Sequence, residues 1–360
     1  MKKVLSLLLA LAMMFALVAC GGNNTTTNNT TGNNTGDTTG DTTGGSTDGE
    51  TYEIAAMFYK YDDVYLSTVR SAMEKYAEEA GNINLTCYDG QGDQGKQLDQ
   101  LDTILAKGVD CIFVNMTDQS SAPTVIDKVK DEGIPLVFFN REPTDITVLE
   151  GYDKCLFVGT QAEDAGIMQG DMLYDLWTEN PDYDRNGDGK VQYVVFQGEA
   201  DNVEAIARTE YCVKQSEENG LQMEAIAETQ VCNWLAEQAM NAMEAILATQ
   251  ADTIEVAFCN NDDMATGVIS ALQNNGMNTG NEGDPSIIVL GVDATDAGVA
   301  AVEAGTMAGT VKQDGDGMAK AVVEVALNFL AGNDPLEGTD YELDSTGVAI
   351  RIPYSPYYAE

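Results

Sequence analysis

From Glu53 onward the chain alternates short, wholly apolar runs with longer stretches in which apolar residues recur every three to four positions. Runs such as E-I-A-A-M-F-Y (53–59), D-C-I-F-V-N-M (110–116) and I-P-L-V-F-F-N (134–140) have no polar alternation, the pattern of strands covered on both faces. The stretches between them read as amphipathic helices. The first series is a strand at 53–59, a helix over 65–79, a strand at 83–88, a helix over 94–107, a strand at 110–116, a helix over 122–132 and a strand at 134–140. A second series begins at C-L-F-V-G (155–159) and runs through helices at 165–177, 203–219, 235–247 and 265–275. Its strands are V-Q-Y-V-V-F (191–196), a segment near Met223, I-E-V-A-F-C (254–259) and S-I-I-V-L-G-V (286–292). A tail adds M-A-G-T-V (307–311), a helix over 318–330 and G-V-A-I-R-I-P-Y (347–354). Strand and helix in strict alternation imply parallel sheets covered by helices, and two series imply two α/β lobes.

Polar residues interrupt this pattern mainly at the carboxyl ends of strands. Asp62 and Asp63 follow the first strand, Asn115 the third, Asn140 the fourth, Asn260 to Asp263 a strand of the second series, Asp293 another, and Gln313 with Asp314 the tail strand. Ligands of open parallel sheets bind beyond those ends. Asn and Asp also favour helix N-caps and turns, so each residue alone carries two readings, and only their convergence favours a site. Amides and carboxylates predominate, with Arg208 opening a helix and Tyr65 and Trp234 just past loops. Planar donors and acceptors with aromatic faces suit a hydroxyl-rich small ligand such as a sugar.

Between the helix at 165–177 and the next strand lies D-R-N-G-D-G-K-V-Q (184–192). A tight loop that binds Ca²⁺ supplies oxygens from its first, third, fifth and ninth side chains and its seventh carbonyl, with Gly at the sixth position. Here those are Asp184, Asn186, Asp188, Gln192, the carbonyl of Lys190, and Gly189. The twelfth position, where a helix-loop-helix site carries a bidentate Glu, is Val195 inside a strand, so a last ligand must come from elsewhere. The same string also fits an Asx/Gly-rich turn without metal.

The N-terminus changes the picture of location. Lys2 and Lys3 precede an apolar run to Val18, short for a bilayer span and fitting for an export signal. It ends in L-V-A-C-G (17–21), which resembles the bacterial lipobox, whose rule makes Cys20 the acylated N-terminus of the mature chain. Residues 21–50 are almost wholly Asn, Thr, Gly, Asp and Ser, a tether unable to bury enough apolar surface to order itself. In the flexible regime it spans roughly 30 Å. The protein is therefore expected to be extracytoplasmic, lipid-anchored at the cell membrane.

Charge excludes more than it selects. Of 18 basic and 59 acidic residues, removal of Lys2 and Lys3 leaves a net charge near −43, which repels nucleic-acid phosphates and anionic lipid headgroups. Six cysteines follow Cys20, several within strand-like runs and none as C-x-x-C, so buried thiols are expected over disulfides. Histidine is absent, which removes Ser-His and Cys-His catalytic pairs.

Y-K-Y-D-D (59–63), Q-x-x-Q-x-D (97–102), L-A-K-G-V (105–109), V-F-F-N-R-E-P (137–143), V-G-T (158–160), D-x-N-x-D-G-x-x-Q (184–192), A-R-T-x-Y (207–211), N-N-D-x-M-A (260–265), G-V-D-A (291–294) and A-G-T-V (308–311) together resemble the glucose/galactose-binding receptors of bacteria over residues 52 to 355. That family is of the ribose-binding type. The resemblance implies two doubly wound parallel-sheet lobes joined by three hinge crossovers, the type I periplasmic binding protein fold, closing on a pyranose. It implies no enzyme but a monomeric receptor for an ABC permease, in some bacteria also a carrier for a chemoreceptor. It further implies one structural calcium, with Glu255 as the missing ligand. Asp63, Asn115, Arg208, Trp234, Asn261 and Asp293 match family sugar ligands. Tyr65 stands where the family stacks Phe, Asn202 where it has His, Glu204 where it has Asp, and Gln313 where it has Asn. Tyr65 keeps the stacking face and adds a hydroxyl, while the changes at Asn202, Glu204 and Gln313 re-aim donors around the ring, so an aldohexose is better supported than either epimer.

The expected division is a signal at 1–20, a tether at 21–50, an N-terminal lobe of 51–140 plus 313–348 and a C-terminal lobe of 141–312 plus 349–360. A receptor of this fold for a pentose or methyl-galactoside is the alternative. A sugar-responsive repressor would need a basic helix-turn-helix where this chain has its tether. A glycosidase would need opposed carboxylates, and the adjacent pairs Asp62–Asp63 and Asp262–Asp263 rarely face one bond from two sides.

Overall fold

The computed structural model describes residues 51–281 and 283–359. Cys20, the export signal and the tether lie outside them. In chain order the elements are β1 (Tyr52–Phe58), α1 (Val64–Ala80), β2 (Ile83–Asp89), α2 (Gln94–Lys107), β3 (Cys111–Val114), α3 (Ala122–Glu132), β4 (Leu136–Phe139), β5 (Cys155–Gly159) and α4 (Ala162–Glu179). They continue as β6 (Val191–Gln197), α5 (Val203–Glu218), β7 (Met223–Ala225), β8 (Gln230–Val231), α6 (Ala236–Gln250), β9 (Val256–Cys259), α7 (Asp262–Asn274), β10 (Ile288–Asp293), α8 (Asp296–Glu303), β11 (Gly309–Gln313), α9 (Gly315–Ala331), β12 (Ala349–Arg351) and β13 (Tyr354–Tyr357).

The strands sort into two sheets, ordered β12-β5-β4-β3-β1-β2 and β13-β11-β10-β9-β6-β7, with β8 also pairing β6. All pairs are parallel except β13 on β11. Each sheet carries an apolar cluster on either face, which explains why β3, β4 and β9 are buried at every position. Phe58, Phe113, Phe138, Phe139 and Phe157 are wholly buried in the first sheet, and each contributes about 1.5–3 kcal/mol of burial.

The lobe boundaries differ from those expected. β5 pairs with β4 and β12, so C-L-F-V-G closes the first sheet instead of opening the second, and the first crossing moves from 140 to 160. β12 lies in the first sheet and β13 in the second, so the last crossing falls at Ile352–Pro353 and not after 348. The middle crossing lies at Asp314, between β11 and α9. The N-terminal lobe is thus 52–159 plus 314–352. Helix α8 adds an element that the apolar periodicity does not predict: it has two turns, and its buried positions are only Gly298 and Val302.

Candidate functional site

The carboxyl ends of both sheets face one cleft, and the helices that leave them begin there. Asp63 caps α1 by accepting from Leu66 N at 2.9 Å, Asn202 caps α5 by accepting from Ala205 N at 2.9 Å, and Asn261 caps α7 by accepting from Met264 N at 3.0 Å. For Asp63 and Asn261 the two readings therefore coexist. One side-chain oxygen ends a helix, and the same side chain borders the cleft.

The cleft holds about 400 Å³ of empty space, its open mouth included. That is room for one small molecule. Asp63, Tyr65, Asn202, Glu204, Arg208, Trp234, Asn261, Asp293 and Gln313 all border it. Asn115 does not. Its side-chain Oδ1 accepts from Tyr59 N at 3.2 Å, and its side-chain amide donates to Phe139 O at 3.2 Å and Asn140 Oδ1 at 3.0 Å, so it braces the wall from behind. Tyr59, Leu66, Asn140 and Arg141 also border the cleft, beyond the sugar ligands that the sequence suggests. Asn140 and Arg141 belong to V-F-F-N-R-E-P, which carries part of the family resemblance and so holds a signal for them.

Arg208 organises the second lobe's wall. It is buried, donates to Asn260 O at 2.7 Å, Gln313 Oε1 at 3.1 Å and Tyr354 Oη at 2.9 Å, and lies 4.0 Å from Asp293. Burial works against its charge, while Tyr354 and Asp293 hold its pKa above the ordinary value. Burial raises Asp293 well above the usual carboxylate range, against the pull of Arg208. Asp293 sits at φ 114° and Ala294 at φ 53°, a backbone that L-residues adopt at a cost of about 1–3 kcal/mol each and that clusters at ligand sites. Buried Asp262 fixes this turn from behind. It accepts from Thr295 N at 2.7 Å and from Thr310 Oγ1 at 2.6 Å.

Four polar atoms on the cleft side chains are buried without a partner: Tyr65 Oη, Arg141 Nε, Arg208 Nε and Gln313 Nε2. Each can donate. Burial keeps the Tyr65 phenol protonated. An unpaired buried donor costs about 1–3 kcal/mol, so together with the acceptors of Asp63 and Asp293 these atoms define a cleft satisfied by several hydroxyls. Trp234, at φ 65° beside Asn233 at φ 50°, presents its indole to the cleft. Gly198 makes room for it, because a Cβ there would overlap the ring.

The 184–192 loop is closed on itself. Asp184 accepts from Gly187 N at 2.8 Å and Gly189 N at 2.9 Å, Asp188 from Lys190 N at 2.8 Å, and both glycines have φ near +75°. The Glu255 carboxylate joins it, accepting from Arg185 N at 2.7 Å and Gln192 N at 3.0 Å. Among the described residues, Asp, Glu, His and Cys side chains alone form no metal-holding cluster of three. Amide and carbonyl oxygens complete this donor set. Gln192 Oε1 is buried without a partner beside it, which fits an oxygen-seeking cation.

A two-lobed body whose sheets point their carboxyl ends at one enclosed polar cleft defines a class, the substrate-binding proteins that close around a single small ligand. The family follows directly: residues 54–334 match the family described as periplasmic binding protein domain, and the chain belongs to it. It is a binding protein and not an enzyme, of an extracytoplasmic family that serves ABC transporters. The chain is 36% identical over 301 residues to the D-galactose/methyl-galactoside binding periplasmic protein of Haemophilus influenzae, covering 84% of this chain and 88% of that one. Among solved structures, an ABC transporter solute binding protein of Bacillus halodurans with bound myo-inositol matches at a TM-score of 0.70 and 26% identity over 87% of this chain and 96% of that one. A periplasmic solute binding protein of Actinobacillus succinogenes with bound D-allose matches at 0.71 and 20%, covering 85% and 97%, which speaks for the fold alone.

Proposed function

We propose that the protein is the receptor of an ABC importer for an aldohexose, galactose or glucose, held as one pyranose between Tyr65 and Trp234. The observation that carries this reading is the set of unpartnered donors at Tyr65, Arg141, Arg208 and Gln313 on a cleft also lined by half-buried Asp63 and buried Asp293. Hydroxyls donate to the carboxylates and accept from the donors, while the aromatic faces cover the C–H surfaces. The galactose-binding relative from Haemophilus supports a hexose. A cyclic polyol is the second reading, favoured by the myo-inositol in the structural relative from Bacillus.

Three further parts of the proposal lie outside the cleft. Cys20 carries the lipid anchor. Ca²⁺ sits in the loop formed by Asp184, Asn186, Asp188, the Lys190 carbonyl and Gln192, with Glu255, and ties α4 to β6 and β9. The loaded, monomeric receptor docks on its permease, and a chemoreceptor is a second partner to test.

Calorimetry with glucose, galactose, ribose, xylose and myo-inositol on the wild type, Asp293→Ala and Trp234→Phe tests the assignment. A hexose is expected to bind the wild type best. Loss of the charge-assisted bonds of Asp293 should weaken it more than tenfold, about 1.5–3 kcal/mol. Trp234→Phe should be intermediate. Tight pentose binding with no hexose response overturns the specificity, and wild-type affinity in Asp293→Ala overturns the site.

A further inference from the structure

One end of the cleft is shut by the protein itself. Gln119, in the turn after β3, donates from Nε2 to Glu204 Oε2 at 2.7 Å and accepts from Val203 N at 3.0 Å, so a single amide bridges from the first lobe to the start of α5 in the second. The Glu142 backbone N–H donates to the other Glu204 oxygen at 2.8 Å, and Arg141 pairs with Glu199 across the same gap. The first-lobe partners are firmly rooted. The Gln119 carbonyl accepts from Thr144 N at 3.2 Å. The Glu142 carboxylate is held by Arg351, which also donates to Thr160 O at 2.8 Å, so the anchor reaches two of the three hinge crossings.

We propose that Gln119 is a positioning residue that sets ligand affinity without touching ligand, by clasping Glu204 and the α5 N-terminus so that the lobes favour the closed state. Gln119 does not border the cleft cavity, whereas Glu204 does, with both its oxygens already engaged by first-lobe donors. The clasp therefore acts on the closing equilibrium. When the binding-competent state is only partly populated, the apparent dissociation constant is the intrinsic one divided by the closed fraction. Loss of the clasp must then weaken every ligand by the same factor. This rests on the small-ligand reading of the cleft and not on which sugar fills it.

The test uses Gln119→Met, which keeps length and removes both bonds, and Glu199→Gln, which weakens the second bridge at a partly exposed position. Affinity and dissociation rates are measured for every ligand the wild type binds, and solution X-ray scattering is recorded on the ligand-free proteins. Gln119→Met is expected to raise Kd about tenfold, equally for all ligands and mainly through koff, since a lost bond to a charged group is of that size. Ligand-free Gln119→Met should scatter as a more open particle, and Glu199→Gln should move the same way by less. A Kd change confined to one ligand shows direct contact and overturns the clasp. So does unchanged scattering in both variants. If the wild type bound none of the sugars, the scattering difference alone would still decide the proposal.

Discussion

The residues that aim the site also carry its response to pH. Burial pushes Asp262 up to about 6, against the pull of its hydrogen bonds from Thr310 and Thr295. An unfolded Asp titrates at about 3.9, so the folded chain holds this proton more tightly than the unfolded one. The sign follows: the contribution of Asp262 to stability is lowest above pH 6, rises as pH falls through about 6, and levels off below the unfolded value. Asp262→Asn has nothing to titrate. The stability difference between wild type and Asp262→Asn should therefore move in the wild type's favour between pH 7 and 4.5. Urea titrations of both proteins across that range measure it, and a constant gap would contradict the buried, proton-retaining carboxyl.

At the scale of elements, the 184–192 loop joins α4 to β6, and Glu255 brings in the start of β9. Without a cation, burial together with nearby Asp184 raises the Glu255 carboxyl. Bound Ca²⁺ would reverse that rise. Chelator is expected to lower the melting temperature by several degrees and Ca²⁺ to restore it, since a ligand at a hundred times its Kd stabilises by about 2.7 kcal/mol. In Asp188→Ala both responses should vanish while the hexose affinity of the folded protein changes little, because the loop is remote from the cleft lining. A metal-free preparation that melts the same with and without Ca²⁺ refutes the loop's role.

For the whole molecule, the proposed function turns on closure of the lobes. Three crossings, at Thr160, Asp314 and Ile352–Pro353, connect lobes that each own a complete sheet and two apolar clusters, so the lobes can move as rigid bodies while the crossings absorb the dihedral change. Saturating hexose should shrink the radius of gyration of the wild type. It should leave Asp293→Ala, whose second-lobe grip is lost, close to its ligand-free value. Equal scattering with and without hexose, at a concentration where calorimetry shows saturation, would mean that binding does not close the lobes.

Local pattern was enough for the order and type of nearly every element, because apolar periodicity records which faces of a segment are covered and needs no knowledge of by what. It was enough for the caps at Asp63 and Asn261 and for the turn of the Asp184–Gln192 loop, since each of these closes within a few residues. What local pattern could not hold was pairing between distant segments. C-L-F-V-G looks the same whether it ends one sheet or starts the next, and only its register with β4 and β12 assigns it. Asn115 stands at a strand end like the true cleft residues, yet Tyr59, Phe139 and Asn140 consume its amide. Gly198 has meaning only beside Trp234, and Gln119 only across the gap from Glu204, 85 residues later. These are contacts between segments that the chain brings together only by folding, so tertiary structure alone decided them.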